Sequence, residues 1–246
     1  MTMAHRLLAT LVLCLLLAPT RGYAQFPVSV VSSNDPELPT PIERDQMLTT
    51  DQVFHMTARA LDLIGGMGSV VSDTARLVVI KPNISIARAS GTGIIADARV
   101  VRAVALLVHE ASPQARILIA EGAGGWVSPA LADCSLVNIR SGADRTEVLQ
   151  DGFEIAGHRA TVTELQGMGI DIDVHDLNFD LAYKLQVPGG GLLWDEYELA
   201  SSIIDADVWI NVPVAKTHGA KITCCMKNHF GLFPGTVYGW NKARGT

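Results

Sequence analysis

The 246-residue chain carries 19 basic and 25 acidic residues, for a formal net charge of −6, and 48% of its residues are hydrophobic. An acidic balance excludes nucleic acid or an anionic membrane as the main partner, because both demand a concentrated basic surface. The apolar content is ample for the core of one large domain.

In chain order, the first predicted element is a secretion signal. Met1 to Arg6 is short and basic, Leu7 to Pro19 is uncharged, and Gly22-Tyr23-Ala24 places small residues just before Gln25. That is the pattern of a cleavable signal peptide over residues 1–24. The apolar run falls short of the ~20 residues needed to span a bilayer. The expectation is therefore export, to a periplasmic or extracellular location, with no stable membrane anchor. Residues 1–24 hold two of the 19 basic residues and none of the acids, which leaves 17 against 25, a net charge of −8, in the 222 residues that follow. Three cysteines remain there, Cys134, Cys224 and Cys225, too few for a disulfide framework. They read as free thiols, buried or partly buried, since neighbours such as Cys224 and Cys225 pair only with strain.

Residues 25–48 are rich in Pro, Ser, Asn and Asp and read as an extended leader before an α/β domain over 49–246. Thr50-Asp51 is placed to cap a helix that buries Val53, Ala60, Leu61 and Ile64 and stops at Gly65-Gly66. Arg76 to Ile80 is a short β-branched run suited to a strand buried on both faces, ending at Lys81-Pro82-Asn83 because proline cannot continue a central strand. A helix opened by Asp97 shows Val100, Val104, Leu107, Val108 and Ala111 on one stripe and stops at Ser112-Pro113. Arg116 to Ala120 supplies the next buried strand, so strand, helix and strand form a parallel crossover unit. Further on, residues 155–168 read as helix, Ile170 to Val174 and Lys184 to Val187 as strands, and Glu196 to Ile204 as helix. Asp207 to Val212 is a third buried strand, stopped by Pro213. The fold class that follows is α/β, with a mostly parallel sheet covered by helices.

Polar residues gather where each strong strand ends. Lys81 and Asn83 follow the first, and Glu121, Gly122, Gly124 and Gly125 the second. Lys216 and His218 follow the third, ahead of Lys221, Lys227 and Asn228. Open parallel sheets bind ligands in the crevice beyond the carboxyl ends of their strands. The glycines allow close backbone approach, and Ser128-Pro129 would open a helix after them, a natural anion site. Lys81, Lys216, Lys221 and Lys227 would concentrate an anionic small molecule. Burial could lower one lysine's pKa towards that of a base or imine-forming nucleophile. His218 fits a general acid/base, Glu121 a base, metal ligand or lysine partner, and Asn83 and Asn228 orienting groups. If residues 220–230 are helical, Lys221, Cys224 or Cys225 and Asn228 share a face. Cys225 and His229 alone are too few ligands to define a metal site. No four-cysteine cluster motif, Gly-x-Ser-x-Gly elbow or His-Glu-x-x-His is present in the sequence.

Val79-Ile80-Lys81-Pro82-Asn83, Ala120-Glu121-Gly122, the run Asp205 to Pro213, Lys216-Thr217-His218 and Lys227-Asn228-x-x-Gly231 together resemble the DUF362 family, from about Arg76 to the end of the chain. The resemblance implies a domain of largely unassigned function, sometimes joined to iron–sulfur modules. From that association come a redox-linked, oxidoreductase-like activity and a redox partner protein as expectations, although the chain itself holds no such module and its cofactor is unknown. It also implies strand and acidic-glycine motifs beyond Thr246, so the domain is expected to be truncated. The activity expected from the residues is an enzyme of unassigned reaction on an anionic small molecule. The alternative is a non-catalytic binding module for such a ligand or for an electron-transfer partner.

Overall fold

The structure, a computed structural model, describes residues 26–43, 45–124, 150–218, 221–238 and 242, with the backbone alone for His218, Lys221 and Thr223. The expected signal peptide, Gly125, Ser128-Pro129 and Cys134 lie outside the described residues.

Helix α1 spans Thr50–Asp62, and its cap is Thr49, one residue before the pair expected from the sequence. Thr49 and Gln52 exchange side-chain-to-backbone hydrogen bonds in a capping box, which satisfies two amide donors that a helix start otherwise leaves open. Of the four residues expected to be buried on α1, only Val53 is fully so.

Four strands build the central sheet: β1 (Leu77–Pro82), β2 (Arg116–Glu121), β3 (Ile172–Asp176) and β6 (Val208–Val212), in the order β3-β2-β1-β6. Every pairing is parallel, so the α/β class holds. Pro82 is the last residue of β1 and is aligned with Val212, a position where its missing N–H costs no further ladder bond. Helix α2 (Ala98–Ala111) crosses between β1 and β2, capped by Asp97 as expected. Its buried stripe is Val101, Val104, Ala105 and Val108, rotated from the expected one, while Val100, Leu107 and Ala111 are only half-buried.

The two sheet faces have separate cores. Val78, Ile80, Ile117 and Ile119 pack with the α2 stripe. Val79, Leu118 and Ala120 face Leu177, Ala200, Ile203 and Leu232. Each such aliphatic side chain contributes about 1.5–3 kcal/mol on full burial, which is why β-branched runs become central strands.

Other expectations are corrected. Residues 155–168 divide into α3 (Gly152–Ile155) and α4 (His158–Gly167) around Gly157, whose φ is 84°. Lys184 to Gln186 is strand as expected, within β4 (Ala182–Gln186), which pairs antiparallel with β5 (Glu196–Ala200), while Val187 lies just beyond it. Thus Glu196 to Ala200, expected to be helix, is strand, and only Ser201–Ile204 (α5) is helical. The hairpin partner overrides the local helix signal there, since β ladders depend on context. Strand β6 is not buried on both faces: it is the sheet's edge and all five of its residues are half-buried. Residues 220–230 are not one helix. Strand β7 (Lys216–His218) pairs with β8 (Lys221–Thr223), followed by α6 (Cys225–Asn228) and a 3-10 turn over His229–Leu232. His218 therefore sits on a short strand rather than in a loop.

Candidate functional site

The chain runs β1, β2, β3 to one side, then returns to place β6 on the other flank of β1. This reversal is the topological switch point of an open parallel sheet, where the loops beyond adjacent strands diverge and leave a crevice. A cleft of about 240 Å³ opens there, lined by residues that follow β1, β2 and β6 and by the segment from Cys224 to Gly231.

Beneath the cleft is a buried polar floor. Lys81 is 0% exposed and Glu121 3%. The Lys81 ammonium donates to Glu121 Oε1 and Oε2 at 3.0 and 3.1 Å, to Asn228 Oδ1 at 3.2 Å and to Pro82 O at 3.3 Å. Glu121 Oε2 also accepts from the Ile84 amide at 3.0 Å. Burial pulls the Lys81 pKa below its ordinary value, opposed by the charge and hydrogen bonds of Glu121. A buried ion needs such partners, because an unpaired charge in a low-dielectric interior costs several kcal/mol.

Asn228 knits the floor together. Its Nδ2 donates to Asn211 Oδ1 at 2.7 Å and to Lys81 O at 3.2 Å, and its Oδ1 accepts from Asn83 Nδ2 at 3.2 Å. Asn211 Nδ2 in turn donates to Cys225 O at 3.0 Å, which ties β6 to α6. Two glycines permit this closeness. A Cβ on Gly122 would stand 2.5 Å from Gly231 O, and one on Gly231 would overlap Glu121 Oε1 and come within 2.7 Å of Lys81 Nζ. Gly122, expected to let the backbone approach a ligand, is required first by the close approach of Gly231.

Above the floor the walls are cationic. Lys216, Lys227 and Lys242 all line the cleft. Lys216 Nζ donates to Asn83 Oδ1 at 2.7 Å and to Ile94 O. Burial and then the charge of Lys227 lower its pKa, with Glu121 opposing. Lys227 is exposed. Lys242 Nζ donates to Phe233 O at 2.7 Å and to Asn178 Oδ1. Burial drives the Lys242 pKa down to about 8, against the pull of Glu121 and Asp176. An ammonium of this kind exchanges its proton near neutral pH, so it can both hold an anion and act in proton transfer. Cys224 and Phe230 complete the rim.

The structure thus brings together Asn83, Glu121, Gly122, Gly124, Lys216, Lys227 and Asn228 around one cleft. Lys81 does not line it: this lysine is the floor's counter-ion to Glu121 rather than a solvent-facing cation. The side chains of His218 and Lys221 and all of Gly125 lie outside the described residues. Sequence reasoning missed Lys242, Asn211 and Asn178. A signal existed for two of them. Asn211 interrupts an apolar strand, and Asn178 follows β3 at the same sheet edge, where its Nδ2 holds Ala123 O at 3.0 Å. Lys242 belongs to no motif. Among the described residues, no group of three or more His, Cys, Asp or Glu is placed to hold a metal ion, and no helix is long and apolar enough to cross a membrane.

The chain is 29% identical over 204 residues to the Thylakoid-associated protein sll1697 of Synechocystis sp., covering 80% of this chain and 51% of that protein. It thus spans about half the length of the curated relative it matches. No solved structure matches it. The model of the family described as Domain of unknown function (DUF362) matches residues 78–246, the span that contains the floor and Lys216, Lys227 and Lys242 of the cleft, and the chain belongs to that family.

Proposed function

We propose that the chain is an exported protein that binds an anionic small molecule in the strand-end cleft and acts on it as an enzyme. The observation that carries the ligand class is the charge count of the cleft. Among the described residues, three ammonium groups, Lys216, Lys227 and Lys242, face it, while the one carboxylate lining it, Glu121, is already paired with Lys81. In an acidic chain this local excess of positive charge draws an anion against the overall field. At about 240 Å³ the cleft is smaller than the roughly 300–1,000 Å³ typical of drug-sized ligands. A phosphate or short carboxylate fits better than a nucleotide.

The enzyme reading rests on Lys242, whose pKa near 8 leaves a share of neutral amine at physiological pH. Asn83 and Asn228 fix the geometry, and His218 is the candidate acid/base at the hairpin beside Lys216. Export rests on the residues before Gln25. Redox linkage rests on family association.

Calorimetric titration with inorganic phosphate and short mono- and dicarboxylates tests the ligand class. Saturable binding to the wild type, weakened by Lys216→Ala with the fold intact, is the expected result; equal binding by both proteins removes the cleft from the reading. Turnover of a bound ligand, followed by NMR and lost in His218→Ala, separates an enzyme from a holding module. Retention without turnover favours the latter.

A further inference from the structure

Cys224 and Cys225 are adjacent in sequence and their sulfurs lie 3.6 Å apart, with neither in a disulfide. The sequence reading made them buried or partly buried thiols, but Cys225 is exposed and Cys224 is half-buried on the rim of the cleft. We propose that this pair is a reversible thiol–disulfide couple, oxidised to an eight-membered vicinal ring, that reshapes the cleft wall.

The chemistry balances with a small-molecule disulfide of the glutathione class as oxidant. The Cys225 thiolate, the accessible one, attacks a sulfur of that disulfide and releases one small thiol. The Cys224 thiolate then attacks Cys225 Sγ, forms the intramolecular S–S bond and releases the second small thiol. The protein gives up two electrons and two protons, and the oxidant takes them. The second step is intramolecular between sulfurs already in contact, so it outruns attack by another molecule.

Two geometric facts make the couple labile and consequential. Adjacent α-carbons across a trans peptide are about 3.8 Å apart, below the usual ~4.4–6.8 Å of a disulfide, so the ring is strained and easily reduced. Strained, exposed disulfides have the oxidising potentials of regulatory bonds rather than structural ones. Cys224 is also the cap residue of α6, whose third and fourth residues are Lys227, on the cleft wall, and Asn228, in the floor. Drawing the sulfurs from 3.6 Å to about 2.05 Å must turn the backbone at that cap. Lys227 moves with it, while Asn228 is held by its bonds to Lys81 O and Asn211.

The link to ligand binding rests on the anion reading above; formation of the ring does not. The test uses the full chain carrying Cys14→Ser and Cys134→Ser, folded and exposed to oxidised glutathione. The expected product is lighter by the mass of two hydrogen atoms, with both thiols closed to alkylation and restored by dithiothreitol. Its affinity for inorganic phosphate differs several-fold between the two states. Should the doubly substituted chain fail to fold, digestion of the oxidised wild type must yield a peptide with a bond between Cys224 and Cys225. A lasting glutathione adduct on Cys225, or two thiols that stay open to alkylation, overturns the couple. A ring that forms without changing measurable phosphate affinity overturns its action on the cleft. A ring in a protein that binds no phosphate in either state upholds the couple and sinks the anion reading instead.

Discussion

The floor and the wall of the cleft use the same residue type to opposite ends. Lys81, fully buried, is satisfied by Glu121, Asn228 and Pro82 O. Lys227, on the wall, is exposed. Lys216 and Lys242 stand between these extremes, anchored to backbone and asparagine oxygens yet facing the cleft. A lysine on a sheet edge therefore says little by itself. Its role is decided by whether a carboxylate reaches it before solvent does.

The contrast can be broken most severely in the floor. Glu121→Ala leaves the Lys81 ammonium buried without its counter-ion and is expected to cost about 3–5 kcal/mol in urea unfolding. The double change Lys81→Met with Glu121→Leu should recover most of that loss, because two apolar groups leave no buried charge. A double variant as unstable as the single one would show that the floor's value is shape, not charge.

Next in size is an effect away from the cleft, which gauges how the same core treats a buried base whose nearby carboxylate, Asp97, makes no hydrogen bond to it. His158 is 0% exposed, both its ring nitrogens lack hydrogen-bond partners among the described residues, and burial lowers its pKa to about 4. The unfolded chain binds this proton near 6.5 and the folded one only near 4, so stability rises with pH through that window and is lost as pH falls. About 2 kcal/mol should disappear between pH 7 and pH 5 from this group. His158→Phe should remove that part of the acid sensitivity, read as the difference between urea midpoints at the two pH values.

On the wall, Lys227→Ala should leave the unfolding midpoint unchanged, since an exposed ammonium contributes little to stability. It should weaken phosphate binding several-fold in calorimetry. A loss of stability instead would make Lys227 part of the floor. The smallest effect sharpens the intermediate case. Sulfate keeps its charge from pH 7 to 9, while Lys242, with its pKa near 8, loses most of its own. Sulfate affinity should therefore fall modestly across that range, and Lys242→Met should flatten the profile.

The parallel sheet was legible because β1 and β2 are apolar β-branched runs and Asp97 and Ser112-Pro113 bracket a helix between them. The polar clusters were legible as a group because strand ends on one edge of a parallel sheet must converge. What failed was local reading where a partner strand decides. Glu196 to Ala200 has a helix-compatible composition but is held extended by β4. The segment from Lys216 to Asn228 is cut into hairpin and turn by its pairing and by the bonds of Asn228.

By itself, then, the sequence determined the α/β class and the gathering of polar residues at the strand ends, most of which line or underlie one cleft. Periodicity and burial are local consequences of side-chain chemistry, and topology carries strand ends to one edge. Only the tertiary structure decided which lysine is a buried counter-ion and which lines the cleft. Only there does Lys242 reach Asn178, 64 residues away, and only there does Gly231 close over the Lys81–Glu121 pair. Those outcomes depend on distances between groups far apart in the chain, and on the low dielectric that packing creates around them.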